Sequence, residues 1–187
     1  MERLETRLDG PVLLAPALHG DHRGFFMETF RADAWAEAGV DVAFVQDNHS
    51  RSRRGIVRGM HFQTTPGQAK LLRCARGAIL DVLVDVRRGS PTFGGWEGYR
   101  LDDENGHQLF VPVGFAHGFC VLSEIADVVY KCSSYYDAAT EAGIAYDDPE
   151  VGIEWPADLE LDVSERDRTA PLLAEVAEAL PFAWAPA

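Results

Sequence analysis

Of the six histidines in the chain, two have neighbours that suggest chemistry. His61 lies in Arg58-Gly59-Met60-His61-Phe62-Gln63, and His117 closes Pro112-Val113-Gly114-Phe115-Ala116-His117. An imidazole titrates near neutral pH, so His61 is a candidate general base. Such a base needs an acceptor on its other ring nitrogen to orient it. It also needs a cation or donor to hold the oxyanion that forms as a carbon-bound proton leaves. Arg58 and Lys70, on neighbouring candidate strands, are suited to that task. Inversion at carbon further requires an acid on the opposite face, for which a tyrosine is suitable. Tyr130, Tyr135 and Tyr136 cluster late in the chain, and composition does not choose among them.

The charge pattern adds a second clue. From Arg51 to Arg76 there are seven cations (Arg51, Arg53, Arg54, Arg58, Lys70, Arg73, Arg76) and no Asp or Glu, in a chain of formal net charge −13. The stretch is either a solvated basic face or a pocket for a small anion, where guanidinium forks match phosphate oxygens. An acidic surface makes nucleic acid and anionic membrane poor partners. No apolar run is long enough to span a bilayer, and MERLETRLDG has no apolar core of a secretory signal. Cys74, Cys120 and Cys132 are odd in number and form no CxxC pair, which predicts structural thiols in a reducing cytoplasm.

The elements that must position these residues read as many short strands. Candidates are Val12–Ala15, Ala43–Asn48, Ile56–Gln63, Lys70–Arg76, Ala78–Arg87, Trp96–Leu101, Gln108–Val111, His117–Val121, Ala126–Ser134 and Gly143–Tyr146. Turn residues such as Thr65-Pro66-Gly67 and Glu104-Asn105-Gly106 divide them, a pattern that predicts an all-β sandwich or barrel. Two helices are expected: Arg31–Ala38, ended by Gly39, and one after Pro171 with Leu172, Leu173, Val176 and Leu180 at helical spacing. Residues 181–187 are expected to form a loose tail. The length fits one domain over residues 1–187, with a core at about 10–173 and a C-terminal helix and tail over 171–187. In Ile79-Leu80-Asp81-Val82-Leu83-Val84-Asp85-Val86, alternation puts both carboxylates on one face, which must meet solvent or line a polar cavity. Strict alternation also sends Arg58 and His61 to opposite faces of one strand, unless Gly59 marks a bulge.

The Pro-x-Gly-x-x-His spacing at Pro112–His117 matches the second motif of cupin barrels, where a turn feeds a histidine into the barrel mouth. The first cupin motif would need a His-x-His pair, but His61 is followed by Phe62 and Gln63. One histidine from each motif is too few for a stable metal site without a nearby carboxylate. The expectation is no metal, and no GxGxxG turn points to a redox cofactor.

Longer strings carry a more specific resemblance. Gly20-Asp21-His22-Arg23-Gly24-Phe25-Phe26-Met27-Glu28, Phe44-Val45-Gln46-Asp47-Asn48-His49-Ser50, Val57 to Gln63, and Pro112 to Phe119 resemble the dTDP-4-dehydrorhamnose 3,5-epimerase family. So do Val129-Tyr130-Lys131, Ser134-Tyr135-Tyr136 and Gly152-Ile153-Glu154-Trp155-Pro156, in order, from about Gly10 to Leu173. The resemblance implies a cupin-like jelly-roll β-barrel with a few short peripheral helices and no cofactor. It implies His61 as base, Tyr130 as acid, Asp167 as the carboxylate behind the base, and Lys70 and His117 beside the sugar. It implies that Arg23, Phe26, Glu28, Gln46, Asn48, Arg58, Tyr136 and Glu141 hold the nucleotide, the diphosphate or nearby sugar atoms, and that Asp81 braces Lys70. It implies a homodimer, in which one subunit's N-terminal segment can complete the other's site. Glu165 stands close to Asp167 as a rival partner for His61.

The expected activity is epimerisation of a dTDP-4-keto-6-deoxy sugar at C3 and C5 on the path to dTDP-L-rhamnose. A relative that inverts one carbon, for antibiotic-sugar biosynthesis, would keep the same residues. A metal-dependent cupin oxygenase and a non-catalytic sugar-binding cupin are the readings from other classes.

Overall fold

The computed structural model describes residues 1–185. Strands β1 (Glu2–Leu4) and β2 (Val12–Ala15) lead into a hairpin, β3 (His19–Asp21) and β4 (Gly24–Phe26), and a helix, α1 (Ala32–Glu37). Eight longer strands follow: β5 (Gln46–Arg53), β6 (Ile56–Gln63), β7 (Lys70–Arg76), β8 (Ala78–Asp85), β9 (Trp96–Asp102), β10 (Gln108–Val111), β11 (Phe115–Val121) and β12 (Ile125–Cys132). Then come β13 (Glu141–Gly143), β14 (Asp162–Val163), α2 (Glu165–Arg168), α3 (Leu173–Val176) and a 3-10 turn at Ala177–Ala179.

Two sheets face each other. One runs β1-β2-β10-β7-β12-β5, the other β13-β6-β11-β8-β9 with β14 parallel to β6, and β3–β4 form a separate pair. This is the expected cupin-like jelly roll. Alternation sorts the apolar residues into layers. Between the sheets pack Leu72, Ile79, Leu83, Leu101, Leu109, Phe119 and Val128. Behind the second sheet, Met60, Phe62, Val82, Val84 and Val86 meet Leu173, Leu180 and Phe182 from the C-terminal segment. Behind the first, Leu14, Leu71 and Phe110 meet Trp35 of α1.

Several boundaries differ from the sequence expectation. The strand expected at Ala43–Asn48 begins at Gln46 and runs to Arg53. It pairs along its whole length with β12, from Gln46↔Cys132 to Arg53↔Ile125. Its inward residues are Gln46, Asn48, Ser50 and Ser52, so it carries no apolar stripe to betray it. The strand expected at Gly143–Tyr146 lies two residues earlier, opposite Gln63 to His61 of β6. Strands β1, β3, β4 and β14 and helix α2, each four residues or fewer, had no sequence signal. The tail is not loose: Phe182 is buried, and Arg88 bonds Phe182 and Trp184 at 2.9 and 3.0 Å. Pro186 and Ala187 lie outside the described residues.

Both faces of β8 are covered, so its carboxylates are buried. Asp81 points between the sheets to His117, while Asp85 at the strand end receives Arg87 at 2.7 Å and Thr92 at 2.7 Å. The Arg58–His61 tension resolves through a bulge. His61 pairs with His117, but Arg58 pairs with Phe119, so three steps on β6 face two on β11. The extra residue reverses the parity. Gly59 (φ +137°) makes this possible: a Cβ there would lie 2.5 Å from the Gly118 Cα.

Candidate active site

The open end of the barrel holds a cleft with two lobes that share His61, Lys70 and Tyr130. The inner lobe, about 500 Å³, also has Arg58, His117 and Asp167 in its walls. The outer lobe, about 370 Å³, is walled by Gln46, Asn48, Gln63, Tyr136 and Glu141. His61 comes from β6 of the second sheet, whereas Lys70 and Tyr130 come from β7 and β12 of the first. Base and acid candidates thus stand on opposite walls.

His61 Nε2 lies 2.6 Å from Asp167 Oδ1. The Gly59 N–H donates to the other carboxylate oxygen at 3.3 Å, and Asp167 is 5% exposed. Burial pushes the Asp167 carboxyl up, but hydrogen bonds from His61 and Gly59, with the charge of His61, outweigh it and hold the carboxyl below its usual range. Helix α2 sets this residue in place. Ser164 caps it, its Oγ accepting from the Asp167 N–H at 3.2 Å. Glu165, the rival, faces solvent beside Arg168 at 3.9 Å.

A second histidine–carboxylate pair lies one strand over. His117 Nε2 sits 2.9 and 3.1 Å from the two oxygens of Asp81, both residues buried. Burial pushes the His117 pKa down and the Asp81 pKa up, each opposed by the other's charge. Asp81 therefore bonds His117 and acts on Lys70 through charge alone. Burial lowers the Lys70 pKa, with the charges of Cys132, Asp81 and Glu141 opposing. Burial also raises the Tyr130 pKa, assisted by Cys132 and opposed by a hydrogen bond with Asn48. Tyr130 is half-buried, whereas Tyr135 and Tyr136 are 72% and 53% exposed, so only Tyr130 sits deep in the cleft beside His61.

Of the seven cations between Arg51 and Arg76, only Arg58 and Lys70 enter the cleft. Arg51 pairs with Asp127 at 2.6 Å on the outer face, and Arg54 with Asp158 at 3.7 Å. The stretch is not one anion pocket: Arg51, Arg53, Arg54 and Arg76 are exposed, and Arg73 lies on the face of β7 opposite Lys70. Arg58 is steadied by Ser52, whose Oγ accepts from Nε at 3.0 Å.

Gln46, Asn48, Tyr136 and Glu141 converge on the outer lobe. Gln46 Nε2 donates to Asn48 at 3.0 Å, and Gln46 Oε1 accepts from the Tyr136 N–H at 2.9 Å. Glu141 accepts from Tyr136 Oη at 2.8 Å and pairs with Arg166 at 2.7 Å. Glu141 is thus occupied with neighbouring donors, and Arg166 is a cleft cation that the sequence reading missed. Its only signal was adjacency to Asp167 in the same short helix.

Arg23, Phe26 and Glu28 do not join this cleft. They lie on or just after the β3–β4 hairpin, which pairs with no other strand among the described residues. Arg23 bonds Asp21, Phe26 is 71% exposed, and Glu28 lies 3.8 Å from Arg31. Among the described residues no cluster of three or more His, Cys, Asp and Glu side chains could hold a metal ion. His61 and His117 each face a carboxylate of their own instead.

Comparison with known proteins gives this geometry a context. The sequence profile of a family described as dTDP-4-dehydrorhamnose 3,5-epimerase matches residues 5–175. A dTDP-4-dehydrorhamnose 3,5-epimerase of Methanothermobacter thermautotrophicus is 48% identical over 167 residues, covering 88% of this chain and 90% of that one. A dTDP-4-dehydrorhamnose 3-epimerase of Streptomyces niveus is 45% identical over 174 residues, covering 92% and 84%. The crystal structure of a dTDP-6-deoxy-D-glucose-3,5-epimerase from Legionella pneumophila, in complex with dTDP-4-keto-L-rhamnose, superposes with a TM-score of 0.94 at 45% identity, covering 98% of this chain and 99% of that one.

Proposed function

The chain belongs to the dTDP-4-dehydrorhamnose 3,5-epimerase family, and from that premise we propose that it converts dTDP-4-dehydro-6-deoxy-D-glucose to dTDP-4-dehydro-L-rhamnose. The observation that carries the reading is His61 of one sheet, paired with Asp167 of α2, facing Tyr130 and Lys70 of the other sheet. The C4 ketone of such a sugar acidifies the hydrogens on C3 and C5. His61 takes one of these protons, and the electron pair moves onto the C4 oxygen as an enolate. Asp167 orients the imidazole and balances the charge it acquires. Lys70 stabilises the enolate, a preorganised charge of the kind that usually contributes most to rate. Tyr130, kept protonated by burial, gives its proton to the opposite face of the ring. His117, fixed by Asp81, donates or accepts beside the sugar.

Arg58 and Arg166 supply fork-shaped donors for the diphosphate, and Gln46, Asn48 and Tyr136 border the room left for the nucleoside. Glu141 orients Arg166 and Tyr136. Arg23, Phe26 and Glu28 serve the cleft of a second copy in a homodimer. The unpaired hairpin with Phe25 and Phe26 58% and 71% exposed supports this arrangement. Three free, buried cysteines suit a reducing cytoplasm.

Incubation with dTDP-4-dehydro-6-deoxy-D-glucose, followed by NMR of the sugar ring, tests the activity. Inverted C3 and C5 are expected. Inversion at C3 alone would place the chain with the Streptomyces niveus relative, and unchanged substrate would rule out the epimerase reading.

A further inference from the structure

Strand β5 lays a polar row along the cleft wall. Asn48, Ser50 and Ser52 recur every second residue and share its inward face. Two of the three have protein partners: Asn48 bonds Gln46 and reaches Cys132 at 3.6 Å, and Ser52 holds Arg58. Ser50 has none. Its Oγ is buried and makes no hydrogen bond among the described residues. It sits opposite Val128 and lines the inner lobe together with Ile56, Phe119, His61, Lys70 and Tyr130.

A buried hydroxyl without a partner destabilises the fold and gives nothing back, so alanine would serve the empty barrel better. The geometry changes once a ligand fills the lobe. Lysine and arginine nearby suit a carbonyl or phosphate oxygen, whereas a serine is neutral and both donates and accepts. The matching ligand group is one that does the same, namely an alcohol. From this we infer that Ser50 is a substrate-contacting residue whose hydroxyl hydrogen-bonds a ring hydroxyl of the bound sugar next to the reacting carbons. The inference deepens the epimerase reading and rests on it. Ser50 adds a neutral specificity contact to the inner lobe, beside its cations, base and acid.

The test compares the wild-type chain with Ser50→Ala and Ser50→Cys on the 4-keto-6-deoxy sugar nucleotide and on its 2-deoxy and 3-deoxy analogues. Removing the orphan hydroxyl should leave the melting temperature unchanged or raise it. On the full substrate kcat/KM should fall about tenfold for Ser50→Ala, and less for the weakly donating Ser50→Cys. The Ser50→Ala penalty should vanish on the one analogue that lacks the contacted hydroxyl. Equal kcat/KM for wild type and Ser50→Ala, or the same penalty on every substrate, would overturn the assignment. A wild-type enzyme that fails to turn over the full substrate would instead count against the epimerase reading.

Discussion

At the scale of single residues, the site depends on what each buried group is paired with. Asp167→Asn keeps the shape but removes the negative charge behind His61, and a loss in kcat of roughly 10²- to 10⁴-fold is expected with a smaller change in KM. The same variant should change the acid stability. The Asp167 carboxyl lies lower in the folded chain than the ~3.9 of an unfolded aspartate. Its contribution is therefore complete above about pH 4 and lost as the pH falls through the folded value. Melting curves of Asp167→Asn should be less sensitive to pH in that acid window, and an unchanged slope would contradict the pairing. Lys70 makes the opposite prediction on the alkaline side. Its pKa is lowered from 10.5 by burial, so the alkaline limb of kcat should fall below that value. Lys70→Arg should move the limb upward while lowering the rate, and a limb that stays in place would remove Lys70 from the role. The places of His61 and Tyr130 in the cleft were legible through the family strings that hold them, and that of Lys70 through its candidate strand next to the one that carries His61. Arg166 was not, because its place in the cleft depends on a four-residue helix with no periodicity of its own.

At the scale of elements, the bulge in β6 brings Arg58 and His61 of one eight-residue strand into the same cleft. Sequence alternation alone would have put Arg58 or His61 outside; Gly59 was legible as the exception because glycine tolerates the conformation. Gly59→Ala would place a Cβ 2.5 Å from the Gly118 Cα and impose φ +137° on an alanine. A destabilisation of roughly 2–4 kcal/mol is expected, with loss of activity beyond what the melting shift explains, since Arg58 and His61 would no longer share a face. Gly20→Ala, outside the left-handed region and with nothing closer than 3.8 Å to the added Cβ, is the control and should fold with little loss of core stability. The β8 strand shows the limit of reading from sequence. Its alternation placed Asp81 and Asp85 on one face correctly, but only the three-dimensional pairing gives Asp81 to His117 and Asp85 to Arg87, Ser90 and Thr92. Strand β5 was half missed for a related reason: a strand that lines a polar cleft has no apolar face.

At the scale of the whole molecule, the barrel brings His61, Tyr130, Lys70 and Arg58 to one cleft, while the exposed hairpin carries Arg23 and Phe26 away from it. If the hairpin completes a neighbour's site, an Arg23→Ala/Phe26→Ala variant and a His61→Ala variant should each be nearly inactive alone. Mixed and allowed to exchange subunits, they should recover activity, because one mixed site has both an intact hairpin and an intact base. Absence of recovery, or a monomer in sedimentation, would contradict the shared site. The central claim is narrower than the assembly: His61, braced by Asp167, removes the proton next to the ketone, and Tyr130 returns one from the facing sheet. Incubation of the 4-keto sugar nucleotide in D2O tests it most directly. The wild-type chain should place deuterium at both C3 and C5, His61→Ala at neither, and Tyr130→Phe should exchange hydrogen without efficient inversion. Exchange retained by His61→Ala would contradict the account.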